Sequence, residues 1–201
     1  MFDSLFIGYS ARTVAPRPDF LAQAPIVDVC SVSDHFSTSA PDWFERGAHN
    51  AAGYFDTEEL AWSVVPEAER DAYTLFGYRA VCVRFHGEIS EPWSPADEWP
   101  GLSAIPDLSS YESIGYDIVN TSFGERFDCS PLSCNSIANE QAVNEHCLID
   151  DIDVAFELGR LFAAERAPVE PGPYHVVEVL RRSRPLHAVP TVDHQQLARD
   201  E

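Results

Sequence analysis

The run YRAVCVRF, Tyr78–Phe85, does most to limit what this chain can become. Val81, Val83 and Phe85 fall on one face at period two, the pattern of a strand with a buried side. Similar runs lie at Leu5–Val14, Ile26–Ser33, Tyr116–Thr121 and Tyr174–Arg182, and together they imply a sheet. One segment reads instead at helical period. In DDIDVAFELGRLFAAE, Asp150–Glu165, the residues Ile152, Ala155, Phe156, Gly159 and Phe162 share a stripe, and Asp150 or Asp151 stands where an N-cap belongs. Shorter helices are expected after Pro41, Thr57 and Pro66. Strands and helices follow each other irregularly, without G-x-G-x-x-G or a P-loop. The expected class is therefore α+β: a single domain over 1–182 with a mixed or mainly antiparallel sheet of about five strands and a few short helices. No segment repeats at a fixed period.

Charge bears on partners more than on fold. Thirty-three acidic residues face 13 basic ones, a formal charge of -20, and every basic residue is arginine. Such a field repels a phosphate backbone and argues against direct nucleic-acid binding. From Phe85 to Gly159 there are fifteen Asp or Glu and one Arg, so one region holds most of the excess. That distribution leads to the expectation of an acidic protein-interaction module of inhibitor or immunity type, docking on a basic protein surface; adaptation to a habitat gives the same composition. No apolar run is long enough to span a bilayer, and MFDSLFIGYS has an acid at Asp3 and no basic stretch. A cytoplasmic protein, off the membrane and without a cofactor, is expected. Its five cysteines then read as free thiols rather than a disulfide framework.

Three segments offer binding residues. Glu88–Ser113 carries four prolines, six acids and no base, and is expected to be a long acidic loop. Trp93 and Trp99 beside Asp97 and Glu98 would anchor a basic partner there, or would plug the loop into the body. In HNAAGYFD, His49, Asn50 and Tyr54 would line a ligand pocket or satisfy their own turn. In GYSART, Tyr9 and Arg12 would meet an anionic ligand or a carboxylate from the acidic half. Ser183–Glu201 reads as a free polar tail.

The chemistry, if any, centres on FDCSPLSCN, Phe127–Asn135, with His146 and Cys147 downstream. A thiol attacks only as its thiolate, which a nearby imidazole favours. Cys129 or Cys134 would be the nucleophile, His146 the base and Asn135 an orienting or oxyanion group, giving a hydrolase or transferase. Acids at Glu125, Asp128, Glu140 and Glu145 would oppose this by raising the thiol pKa. A zinc set of Cys129, Cys134, His146 and Cys147 fails on spacing, because neighbouring side chains diverge; no metal is expected. The remaining reading is a Ser-Pro turn that buries small thiols. FDCSPLSCN, VNEHCLIDD and PGPYHVVEV together resemble segments of a family of bacterial proteins with no assigned activity. That resemblance covers a minority of the chain and implies no catalytic residue.

Overall fold

The computed structural model describes residues 3–22, 25–47, 49–87, 89–102, 106–121, 127, 129–164, 169–170 and 172–183. In chain order it has strands β1 (Ser4–Thr13), β2 (Ala15–Pro16) and β3 (Asp28–Val29), then helices α1 (Trp43–Arg46) and α2 (Glu58–Ser63). A 3-10 helix (Glu67–Ala72) leads into β4 (Tyr73–His86), followed by β5 (Ile89–Pro92), α3 (Pro95–Glu98) and β6 (Tyr111–Asn120). The last elements are α4 (Pro131–Cys134), a second 3-10 helix (Ser136–Glu140), α5 (Ile152–Ala163) and β7 (Tyr174–Arg182). The class is α+β, as expected. Its main sheet runs β1-β4-β7-β6 with β5 on β4, and every pairing is antiparallel. No helix among the described residues is long and apolar enough to cross a membrane.

Both faces of the sheet are covered, so its strands bury consecutive residues rather than alternate ones alone. Leu75 on β4 joins Tyr9, Ala11 and Ala61 under α2, while Val81, Phe85, Tyr174 and Val176 pack under α5 with Ala155, Phe156 and Phe162. On the opposite face Phe76, Tyr78, Ala80, Val177 and Val179 meet Trp93, Trp99, Tyr54 and Cys30. Helix α5 begins where an acid can cap it: the Asp151 carboxylate accepts from the backbone N–H of Asp153 (2.8 Å) and Val154 (3.3 Å). Its Gly159 lets the helix lie directly on Phe85, where a Cβ would come within 2.8 Å of the ring.

The sheet has an internal two-fold repeat, which corrects the expectation that the chain has none. IGYS (7–10) on β1 answers IGYD (114–117) on β6: each strand bulges at its isoleucine, and each next glycine has a positive φ, 134° at Gly8 and 129° at Gly115. A Cβ at Gly8 would lie 2.6 Å from Tyr54 Cβ, and one at Gly115 would lie 2.8 Å from Leu148 Cβ, so both positions need glycine for the same reason. Tyr9 exchanges two backbone hydrogen bonds with Phe55, as Tyr116 does with Ile149. One asparagine organises each turn. Asn50 Nδ2 donates to Ile7 O and Asp56 while its Oδ1 accepts from Ala52 N and Tyr54 N. Asn144 does the same with Ile114, Asp150, His146 and Leu148. Each turn is followed by a capped helix, α2 from Thr57 and α5 from Asp151, and then by a central strand. The two-fold axis passes between Tyr78 and Val179, which pair across the centre. Few side chains are shared between the halves, so the period is hidden in the sequence.

Two expected elements differ. Ile26–Ser33 forms strand only at Asp28–Val29, because side chains take over the backbone groups beyond it: Asp117 accepts from Val32 N, and Arg12 donates to the carbonyls of Ser31 and Val32. The acidic loop holds β5 and α3 instead of being structureless. Of the expected tail, 184–201 lies outside the described residues.

Candidate thiol site

Two buried charges build the site from opposite ends of the sheet. Arg12, on β1, sends Nη1 to the carbonyl oxygens of Val32 (2.6 Å), Ser31 (3.2 Å) and Ser37 (3.4 Å), and Nη2 to Asp34 (3.2 Å). Asp117, on β6, accepts from Ser31 Oγ and Val32 N at 2.8 Å each, and from Ser130 Oγ at 2.5 Å. Burial pushes the Asp117 carboxyl up to about 6, against the pull of its bonds from Ser130, Val32, Ser31 and Ile118. Between them the two charges fix the loop 31–37 against the turn that opens α4.

That loop carries His35 to Cys134, whose Sγ lies 2.8 Å from His35 Nδ1. Cys134 closes the single turn of α4, its N–H bonded to Ser130 O at 2.9 Å. Its thiol is pulled down to about 5: Cys129 donates a hydrogen bond to the sulfur, burial opposes, and donors from His35 and Ser33 add to the positive field of the imidazole. Ser33 Oγ stands 3.6 Å from the sulfur, while the Ser133 hydroxyl donates to Ser31 Oγ at 3.0 Å. A thiolate only accepts, so Nδ1 of His35 carries the proton. Cys134 is half-buried and His35 exposed, whereas Cys129 is 4% exposed. The ligand atoms of His35, Cys129 and Cys134 lie within 4.8 Å of one another, a set able to hold a soft cation; Asp28, Cys30 and His146 form a second such group.

The residues expected at a site divide accordingly. Cys129 and Cys134 come together, but His146 lies with Asp28 (Nδ1 to Oδ1, 2.7 Å) and Arg181 (Nε2 to Nη1, 3.3 Å). Asn135 caps the second 3-10 helix, accepting from Ile137 N. Cys147 is buried with its thiol pushed up to about 12 by burial, Asp117 and Cys134. The net pull on Cys134 is downward, led by Cys129 with His35 and Ser33, and Glu125 and Asp128 lie outside the described residues. Trp93 and Trp99 are buried edge to face at 5.3 Å, with Trp93 Nε1 donating to Glu98, so neither ring is offered to a partner in this structure. Asp97 is exposed. His49 stacks on Phe44, Asn50 holds its turn, and Tyr54 is buried against Tyr78. Arg12 pairs with Asp34, a carboxylate outside the acid-rich region 85–159.

His35, Ser33 and Asp117 are site residues that sequence reasoning missed. His35 stands 99 positions from its sulfur, so no spacing links them. The one available signal was the serine-rich run SVSDHFS, too polar for a central strand. No protein-family model, curated protein or solved structure matches the chain.

Proposed function

We propose that this is a cysteine-dependent enzyme, a hydrolase or transferase, with Cys134 as nucleophile and His35 in place of the expected His146. The observation that supports it is the sulfur of the partly buried Cys134 at 2.8 Å from His35 Nδ1. The thiolate attacks an electrophilic carbon, and the Nδ1 proton of His35 passes to the leaving group as the bond breaks. Ser33 and the Cys129 thiol hold the sulfur in place. Iodoacetamide labelling followed by peptide mapping tests the reading. Cys134 should label at a nearly constant rate from about pH 8 to pH 6, while ordinary thiols slow about tenfold per pH unit. Uniform labelling of all five cysteines that falls together with pH would overturn it.

The acidic docking role is a second reading, favoured by how the arginines are used. Arg79, Arg84, Arg160 and Arg181 already pair with Glu178, Glu91, Glu157 and Glu112, leaving Asp97 and Asp153 exposed in the acid-rich region. Binding of a basic protein through that face should weaken steeply as salt shortens the screening length. Salt-independent binding would remove this reading.

A further inference from the structure

The two sulfurs of the site differ in a way that nucleophilic attack alone does not use. Cys129 directly precedes the residue that caps α4, and Cys134 ends that helix, so one turn of chain brings both thiols together. Their sulfurs lie within 4.8 Å of each other, and a hydrogen bond from Cys129 is the largest pull on the Cys134 thiol. Cys134 is partly exposed, whereas Cys129 is buried. An oxidant arriving from solvent therefore meets Cys134 before Cys129, with the second thiol within 4.8 Å. Cys30 and Cys147 are buried, and burial raises both thiols and that of Cys82, which keeps them protonated and slow.

We propose that Cys134 and Cys129 form a hydroperoxide-reactive pair, in which Cys134 is oxidised first and Cys129 closes a disulfide on it. In the first step the Cys134 thiolate attacks one oxygen of ROOH. A sulfur–oxygen bond forms, the O–O bond breaks, and the alkoxide leaves and takes a proton to become ROH. Cys134 is then a sulfenic acid, oxidised by two electrons, and the peroxide is reduced by two. In the second step the Cys129 sulfur attacks the Cys134 sulfur. The S–OH bond breaks, hydroxide takes the Cys129 proton, and water leaves. A small dithiol reverses the change, supplying two electrons and two protons and becoming a disulfide itself. The step rests on the reading of Cys134 as a reactive thiolate and would switch that nucleophile off.

The full chain, reduced and freed of metal with EDTA, is treated with one equivalent of hydrogen peroxide at neutral pH and mapped by mass spectrometry. The expected product joins Cys129 to Cys134, with Cys30, Cys82 and Cys147 still free, and dithiothreitol reverses it. In Cys129→Ser, dimedone should instead trap a sulfenic acid on Cys134, a readout that does not depend on the disulfide. Oxidation spread over other cysteines, or none at Cys134, would overturn the inference. If Cys134 keeps its labelling rate at low pH but peroxide forms no disulfide, the redox pair fails and the nucleophile stands. If the labelling also fails, both fall.

Discussion

Replacing Asp117 by asparagine should make the protein gain stability, relative to the native chain, as pH rises through the mildly acidic range. Asp117 is fully buried, and burial lifts its carboxyl from 3.8 to about 6, while bonds from Ser130, Val32, Ser31 and Ile118 pull the other way. Carried through linkage, that difference corresponds to about 3 kcal/mol. The folded value is the higher one, so this contribution is fully present below 3.8 and is lost as pH rises through about 6. Asparagine has no proton to lose. Its amide oxygen can stay on Val32 N and Ser31 Oγ, and its NH2 can turn to Ser130, whose hydroxyl accepts as readily as it donates; the bond from Ile118 N to Oδ1 is lost at both pH values and so does not move the gap between them. Urea unfolding of both proteins at about pH 3.5 and pH 7 reads the effect. The gap in unfolding free energy should move by about 3 kcal/mol in favour of Asp117→Asn between the two conditions. A gap that stays constant would refute the reasoning, because it would mean that Asp117 titrates alike in the folded and unfolded chain.

Other consequences can be measured. His35→Gln removes a positive donor from Cys134, so the midpoint of its labelling should move up from about 5, and labelling near pH 6 should slow while that at alkaline pH holds. Asn50→Ala and Asn144→Ala each delete four side-chain hydrogen bonds and should each cost about 2–4 kcal/mol in chemical denaturation. A large loss for one and none for the other would contradict their equivalent roles. Gly159→Ala puts a methyl group into the Phe85 ring and should destabilise by about 1–3 kcal/mol. Phe85→Leu in the same chain should recover part of that loss; no recovery would place the strain elsewhere.

The sheet was legible because its strands are short runs rich in β-branched and aromatic residues, a local signal, although the burial is continuous along them and not at period two. YRAVCVRF and YHVVEVLRR both lie in the central pair. The long helix was legible from its stripe and its Asp151 cap. The site was only half legible. Cys129 and Cys134 share one turn, so their spacing carries information, but the imidazole comes from a loop fixed by Arg12, which the sequence offers only as a partner for an anion, and by Asp117, which reads as an ordinary member of a strand. His146 was the nearer histidine in sequence. The turn that Asn144 organises gives Cys147 a positive φ, 61°, and His146 goes to Asp28 while Cys147 donates to Leu132 O. The tryptophans of the acidic loop follow the same logic: next to His175 and Phe127, large aromatic area decides burial before nearby charge does.

The paired halves are not equal in what they connect. After β1 the chain takes 24 residues to travel from Thr13 to Thr38, whose carbonyl accepts from Thr13 N, whereas after β6 it goes from Asn120 to the matching Cys129 in eight. The extra length on one side is what carries His35 across to the thiols on the other. A symmetric pair of identical chains would have to place that detour twice or not at all. With both halves in one polypeptide, each is free to keep a single part: one delivers the imidazole, the other the sulfurs, and the described residues hold one such pairing where symmetry would dictate two.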